Sequence, residues 1–384
     1  MQISHSEAVR LFPQGHALGD AFCNRENERE RLKNCFLHNE HTVIVAPRRY
    51  GKSSLIRQTL IDAKIPGKRI DLLPATNVLF INKAIKLCFS ELINQISPKT
   101  KNAKEKLIEF VKKLHPKLSL SFFGQKVEIS TSQSPEESVI DLLAGLDTAA
   151  KKLSKRVVIC LDEFQQAGLL KDHHSMEAAI RHAVERSTNI TYIFSGSSRH
   201  LLNQMFRTKS RPLYHLCELM ELERIKPEIY FPILSERAEK QWKEKVNSDA
   251  IQEILNITRC HPYYVNALCR QLWKMPHSPK IHVVQKVWFD YIETQTNWIT
   301  DDLGKLKPNQ RNILAALAYQ PIEEPYSNSF SERVKIGASS IHKSLDILIE
   351  NDFVYRDNDK KYKVLDPAIE TWLNQIKYFD FIED

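Results

Sequence analysis

Three short unbroken apolar runs mark the first half of the chain: residues 42–46 (TVIVA), 157–161 (VVICL) and 191–194 (TYIF). Runs of this length, rich in β-branched residues, predict strands buried on both faces. Between them the apolar positions repeat with a helical period. Residues 53–63 place Leu55, Ile56, Leu60 and Ile61 on one side, and residues 135–153 and 175–187 read as two further helices. Strands alternating with helices predict an α/β fold with a largely parallel sheet. Residues 22–38 read as a polar opening and a helix, and residues 83–117 as helical and lysine-rich. Residues 118–129 (LSLSFFGQKVEI) read as a hairpin turning at Gly124.

Beyond residue 234 the pattern is wholly helical, with helices expected over 235–245, 248–258, 262–274 and 281–296, as in a small lid. A third unit follows. Residues 306–317 turn Ile313, Leu314 and Leu317 inward, 329–334 form a short helix, and 338–351 bury Ile341, Leu345 and Leu348. Residues 353–355 and 361–365 then bracket the polar segment Arg356-Asp-Asn-Asp-Lys360, a hairpin signal. Three helices and a hairpin make a winged helix. The expected organisation is an α/β core over 1–234 with an insertion at about 83–135, a lid over 235–298, and a winged-helix domain with tail over 299–384. The last six residues form an acidic-aromatic tail, and no internal repeat is present.

The first apolar run leads into Ala46-Pro47-Arg48-Arg49-Tyr50-Gly51-Lys52-Ser53-Ser54. Strand, loop and helix are the setting in which the pattern GxxxxGK[ST] forms a phosphate-binding loop. Gly51, Lys52 and Ser53 match it, and Ala46 stands in place of the first glycine, adding only a methyl group. In such a loop successive N–H groups face an anion, Lys52 reaches the β- and γ-phosphates, and the Ser53 hydroxyl ligates Mg²⁺. The second run ends in Asp162-Glu163. Asp162 is the candidate for the metal shell and Glu163 for the general base that polarises water. The third run ends in Ser195-Gly196-Ser197, where Ser195 or Ser197 is the candidate sensor of the terminal phosphate. Ser197 joins Lys52 and Glu163 as an expected catalytic residue. Downstream, Arg199, Arg207 and Arg211 are candidate arginine fingers.

With these motifs in place, the chain resembles the archaeal-type P-loop ATPases, a group between the AAA+ origin-recognition initiators and the STAND switch proteins. Phe22-Cys-Asn-Arg25-Glu26 is similar to that group's opening F-x-x-R-E, Pro47–Ser53 to its P-R-R-x-G-K-[ST], and Asp162-Glu163-Phe164-Gln165 to its D-E-F-Q. Gly196-Ser197-Ser198, Pro212-Leu213-Tyr214, His261-Pro262-Tyr263 and Asp366-Pro367 followed by Trp372-Leu373 match further motifs in order. The resemblance implies ATP and Mg²⁺ as ligands, Arg25 near the adenine, and ATP hydrolysis. Two departures bear on turnover. Pro212-Leu213-Tyr214 continues as His215-Leu216, without the group's Gly-Arg, and His261 cannot act as a lid arginine, which leaves Arg259 as the candidate there.

Composition narrows the partners. The formal charge is +8 with a pI near 8.9. That surplus permits double-stranded DNA as a partner. In DNA-binding winged helices the third helix enters the major groove. Ser339, Ser340, His342 and Lys343 would face it, with Arg356, Lys360 and Lys361 on the wing. Asp346, Glu350, Asp357 and Asp359 weigh against a strong phosphate field there. The other expected class is a nucleotide-dependent switch or scaffold that recruits a protein effector with little hydrolysis. A homo-oligomer is a further expected partner. Seven scattered cysteines without a CxxC pair suggest neither a disulfide framework nor a zinc site and fit a reducing cytoplasm. No run of about 18 apolar residues predicts a membrane span.

Overall fold

The computed structural model describes residues 5–123, 126–130, 134–244, 247–357 and 359–376. The chain divides into two compact units, each with its own hydrophobic core. The sheet unit comprises Arg25–Arg48 and Lys52–Glu223; the helical unit comprises Met1–Asn24, Arg49–Gly51 and Arg224–Asp384.

The sheet unit is built on β1 (Thr42–Val45), β2 (Gly67–Asp71), β5 (Val157–Asp162), β6 (Ile190–Gly196) and β7 (Glu218–Glu221), with β3 (Ser119–Phe123) and β4 (Lys126–Ser130) forming a separate antiparallel pair. The five strands are parallel in the order β2-β5-β6-β1-β7. Every residue of β1, β5 and β6 is buried, which is why these three strands appear in the sequence as continuous apolar runs. The edge strands β2 (GKRID) and β7 (ELME) are partly exposed and polar, so they carry no comparable signal. The expected hairpin is present as β3 and β4, and Gly124 lies outside the described residues.

Helices cover the sheet on both faces, as a parallel sheet requires. Lys52–Ala63 follows β1, Val78–Ile96 and Lys101–Leu114 follow β2, and Pro135–Lys152 precedes β5. Their starts are well marked. Asn77 and Ser134 accept hydrogen bonds from the first-turn amides Phe80 N and Glu137 N, and Pro135 occupies the first turn. Ile81, Ile85, Phe89, Leu142 and Leu146 face the common core.

The helical unit contains Pro227–Trp242, Ser248–Ile257, Pro262–Leu272 and Ile281–Gly304. The first begins eight residues before the expected position 235. Its internal Pro232 breaks the pattern that would have revealed the start, although Pro227 is well placed in the first turn. The last helix runs on past the expected residue 296 to Gly304. Next come Pro308–Tyr319, Asn328–Val334 and Ala338–Glu350, then the hairpin β8 (Val354–Arg356) and β9 (Tyr362–Val364). Ile313, Leu314, Leu317, Ile341, Leu345 and Leu348 are all buried, as their periodicity indicates. A further helix, Pro367–Gln375, is capped by Asp366, whose carboxylate accepts from Ala368 N at 2.8 Å and from the Tyr264 hydroxyl at 2.8 Å.

Within this unit His261 is 4% exposed, with its ring edge-on to Tyr50 at 4.9 Å and no hydrogen-bond partner for Nδ1. Burial, followed by the charges of Arg224 and Arg49, pushes its pKa well below the usual histidine value. An unfolded histidine titrates near pH ~6.5, so below that pH the unfolded chain binds a proton that folded His261 refuses. Stability is therefore full above about pH 6.5 and declines as the pH falls, by up to about 1.4 kcal/mol per unit from this one group. Thermal melts between pH 7.5 and 5.5 should show a fall in melting temperature that His261→Leu reduces. An identical slope in the variant would contradict this account.

Candidate functional site

The carboxyl ends of parallel strands are where open α/β sheets hold ligands. In the sheet unit, β6 lies between β1 and β5, so the ends of all three meet at one edge. Val45 pairs with Gly196, Leu161 with Phe194, and Asp71 on β2 with Asp162 on β5.

Asp162 is the centre of this edge and is 2% exposed. Its Oδ1 accepts from the Ser195 hydroxyl at 2.5 Å and from Glu163 N at 3.0 Å. Its Oδ2 accepts from the Ser53 hydroxyl at 3.0 Å and from Arg69 Nε at 2.5 Å. Burial disfavours the charged form, but the Ser195 hydroxyl, the Arg69 guanidinium and the Ser53 hydroxyl outweigh it, and the pKa falls below the ordinary carboxylate value. Glu163 follows in the left-handed region at φ 52°. Its Oε2 accepts from Gln165 Nε2 at 2.6 Å and from the Ser197 hydroxyl at 2.7 Å, which fixes the carboxylate. Gly196 permits this arrangement, because a Cβ there would lie 2.0 Å from Gln165 Oε1. That oxygen is buried without a hydrogen-bond partner.

Lys52, which opens the helix Lys52–Ala63, is 6% exposed, and its ammonium donates to the carbonyls of Ala46 at 2.8 Å and Pro47 at 3.1 Å. Ala46 keeps a negative φ, so the backbone does not demand a glycine at this place. Arg48 is exposed, while Ser54 is buried one residue beyond Ser53. Arg25, also in this unit and at φ 69°, is buried; its guanidinium binds Glu28 at 2.8 Å and the carbonyl of Glu223 at 2.6 Å.

The remaining loop residues belong to the helical unit. Gly51 has φ 90° and an ideal Cβ there meets nothing within 4 Å, so the glycine is required by its backbone conformation and not by crowding. Arg49 lies over the ring of Tyr263 at 4.2 Å. The Tyr50 hydroxyl accepts from Arg224 Nε at 3.0 Å, and Arg224 also donates to the carbonyls of Arg259 and Leu365. Arg259, the candidate lid arginine, is held by Glu370 at 2.8 Å.

The structure thus brings Ser53, Asp162, Glu163, Ser195 and Ser197 to one edge. The two serines divide the work, with Ser195 on Asp162 and Ser197 on Glu163. Among the arginine candidates, Arg211 is committed within its unit to Glu177, whose side chain is fully buried; burial raises the Glu177 pKa despite the arginine. Arg207 is exposed at the end of Arg199–Arg207. In the winged helix, Ser339, Ser340, His342, Lys343, Arg356, Lys360 and Lys361 are all exposed. His342 pairs with Asp346 at 2.9 Å, and Arg356 Nε donates to the carbonyl of Lys360 at 3.0 Å, so both are engaged locally. Sequence reasoning missed Arg69, because β2 was not recognised, and it missed Arg224, which lies between β7 and a helix whose start Pro232 concealed.

A hydroxyl and a carboxylate sharing one site form a hard oxygen donor set that suits Mg²⁺. Arg69 on the same oxygen marks the position as one that takes positive charge. The unpartnered Gln165 Oε1 adds an acceptor at the same edge. The residues present therefore fit a nucleotide with its metal.

A family model described as "Probable winged helix domain" matches residues 300–375. No curated protein matches the chain in sequence. Among solved structures, a Walker-type ATPase of Pyrococcus abyssi is similar at TM-score 0.69 and 17% identity, over 95% of this chain and 99% of that one. The ORC2 protein of Aeropyrum pernix, solved as ADPNP–ADP complexes, is similar at TM-score 0.59 and 15% identity, over 97% of both chains. The fold is accordingly that of a P-loop ATPase, a five-stranded parallel sheet covered by helices, with a C-terminal winged-helix domain. Among the described residues, no helix is long and apolar enough to cross a membrane.

Proposed function

We propose that the chain binds ATP with Mg²⁺ through residues 46–54, hydrolyses it slowly, and uses its nucleotide state to act on a partner through the winged helix. The observation that carries this reading is the meeting of Ser53 Oγ with Asp162 Oδ2 at 3.0 Å, beside a Glu163 whose carboxylate is already oriented. When bound, the metal would supply charge stabilisation on the β- and γ-phosphates. Lys52 would turn from the Ala46 and Pro47 carbonyls to the same phosphates. Glu163 would take a proton from the attacking water, with Ser197 and Gln165 holding its other oxygen. Arg25, anchored by Glu28 and the Glu223 carbonyl, would shape the adenine side. Slow turnover is supported by the commitment of Arg211 to Glu177 and by the missing Gly-Arg after Tyr214.

The partner is double-stranded DNA in the first reading, met by Ser339, Ser340 and Lys343 on the helix Ala338–Glu350 and by Lys360 and Lys361 on the wing. The charge distribution favours a second reading, in which the winged helix recruits a protein. Residues 300–375 hold ten lysines and arginines against twelve acidic residues, whereas residues 83–117 hold nine lysines against three glutamates. The positive surplus of the chain is therefore not on the winged helix.

Calorimetry should find that Lys52→Ala weakens ATP binding at least about tenfold, or about 1.4 kcal/mol. Glu163→Gln should keep the affinity and lose turnover, since an amide cannot accept the proton. Wild-type affinity in the first variant or wild-type turnover in the second would remove the corresponding assignment. For DNA, a salt titration of duplex binding should give a slope near about −0.9 per phosphate contacted. Reversing Lys343, Lys360 and Lys361 to glutamate should flatten that slope by about 2 to 3. Equal slopes, or no binding by the wild type at low salt, would favour the protein-recruiting reading.

A further inference from the structure

Arg69 is a residue at the sheet edge that a phosphate-loop site does not call for. It lies two residues before Asp71 on β2, and the register sets Asp71 beside Asp162, so Arg69 and Asp71 share a face next to the acidic strand end. Its Nε is 2.5 Å from Asp162 Oδ2 and its Nη2 is 3.1 Å from Asp71 Oδ2. Asp162 Oδ2 is also the oxygen that accepts from the Ser53 hydroxyl. A divalent cation that took Ser53 Oγ and Asp162 Oδ2 as ligands would occupy the oxygen that Arg69 Nε now holds. Two cations on one carboxylate oxygen repel, and the repulsion is strong where water is excluded, as it is around Asp162.

We propose that Arg69 is an exchangeable counter-ion for the metal. It neutralises Asp162 when no divalent cation is held, and metal loading requires the guanidinium to leave for Asp71. This rests on the nucleotide-site reading above. Two features suit an exchange better than a fixed structural pair. The Arg69 side chain is 30% exposed while that of Asp162 is 2% exposed, so the arginine has an open path to solvent. Asp71, at 45% exposed, already holds the far end of the guanidinium and can keep it after Asp162 is released. The metal requirement of the protein is then set by competition. Arg69 acts through Asp162 and is a positioning residue.

The test uses the full chain, a fluorescent ATP analogue and titration with Mn²⁺. Nucleotide binding is followed by fluorescence and metal binding by electron paramagnetic resonance, with nucleotide affinity also measured in EDTA. Arg69→Gln should lower the half-saturating Mn²⁺ concentration at least fivefold. Asp71→Asn should raise it at least threefold, because the displaced guanidinium then lacks its second carboxylate. Arg69→Lys, which keeps the charge, should stay near the wild type. These opposite shifts distinguish exchange from a pair that only braces β2 against β5, since bracing would alter melting temperature without moving the metal requirement. An unchanged or higher requirement in Arg69→Gln overturns the inference. If that variant does not fold, an unchanged or lower requirement in Asp71→Asn overturns it instead. A wild type that takes no nucleotide with or without metal overturns the nucleotide-site reading, and this inference with it.

Discussion

A carboxylate buried as deeply as Asp162 must find its hydrogen-bond partners and its countercharge inside the protein, because the effective cost of an isolated buried ion is several kcal/mol. The sheet order supplies them. With β2 on one side of β5 and β6 on the other, Arg69 comes from one neighbour and Ser195 from the other. The start of the helix after β1 contributes Ser53. Each partner is carried by a separate element, so the geometry of the site depends on the register of the whole sheet and not on one loop. The depressed pKa of Asp162 reflects this assembly: the charged form is retained against its own burial.

The central strands were legible because a parallel sheet buries both faces and writes apolar runs into the chain. The edge strands were not, since GKRID and ELME carry charges that solvent accepts. That blind spot hid Arg69. Its proximity to Asp162 depends on the pairing of residues 91 positions apart, Asp71 with Asp162, and local sequence does not encode such pairing. Ser195 and Ser197 are legible as polar strand-end residues, but their separate attachments to Asp162 and Glu163 depend on the left-handed turn at Glu163. The winged-helix periodicity at Ile313, Leu314, Leu317, Ile341, Leu345 and Leu348 was read directly, because each position faces a core. The start of Pro227–Trp242 was missed because Pro232 interrupts the helical pattern.

In the helical unit residues Arg49–Gly51 have their own restraints. Arg49 stacks on Tyr263, and Tyr50 is gripped by Arg224, which also holds the carbonyls of Arg259 and Leu365. Arg259 in turn is fixed by Glu370 on the helix Pro367–Gln375. A chain of direct contacts therefore runs from Tyr50 to the last described helix. None of these contacts follows from a sequence motif, since each joins residues from distant segments.

In the proposed function, Asp162 is the metal-side anchor of a nucleotide site. The most direct measurement is the ATP affinity of Asp162→Asn by calorimetry, with Mg²⁺ and in EDTA, beside the wild type. The account predicts that the variant loses the gain in affinity that Mg²⁺ gives the wild type and keeps the metal-independent part. A variant that gains as much from Mg²⁺ as the wild type would contradict it.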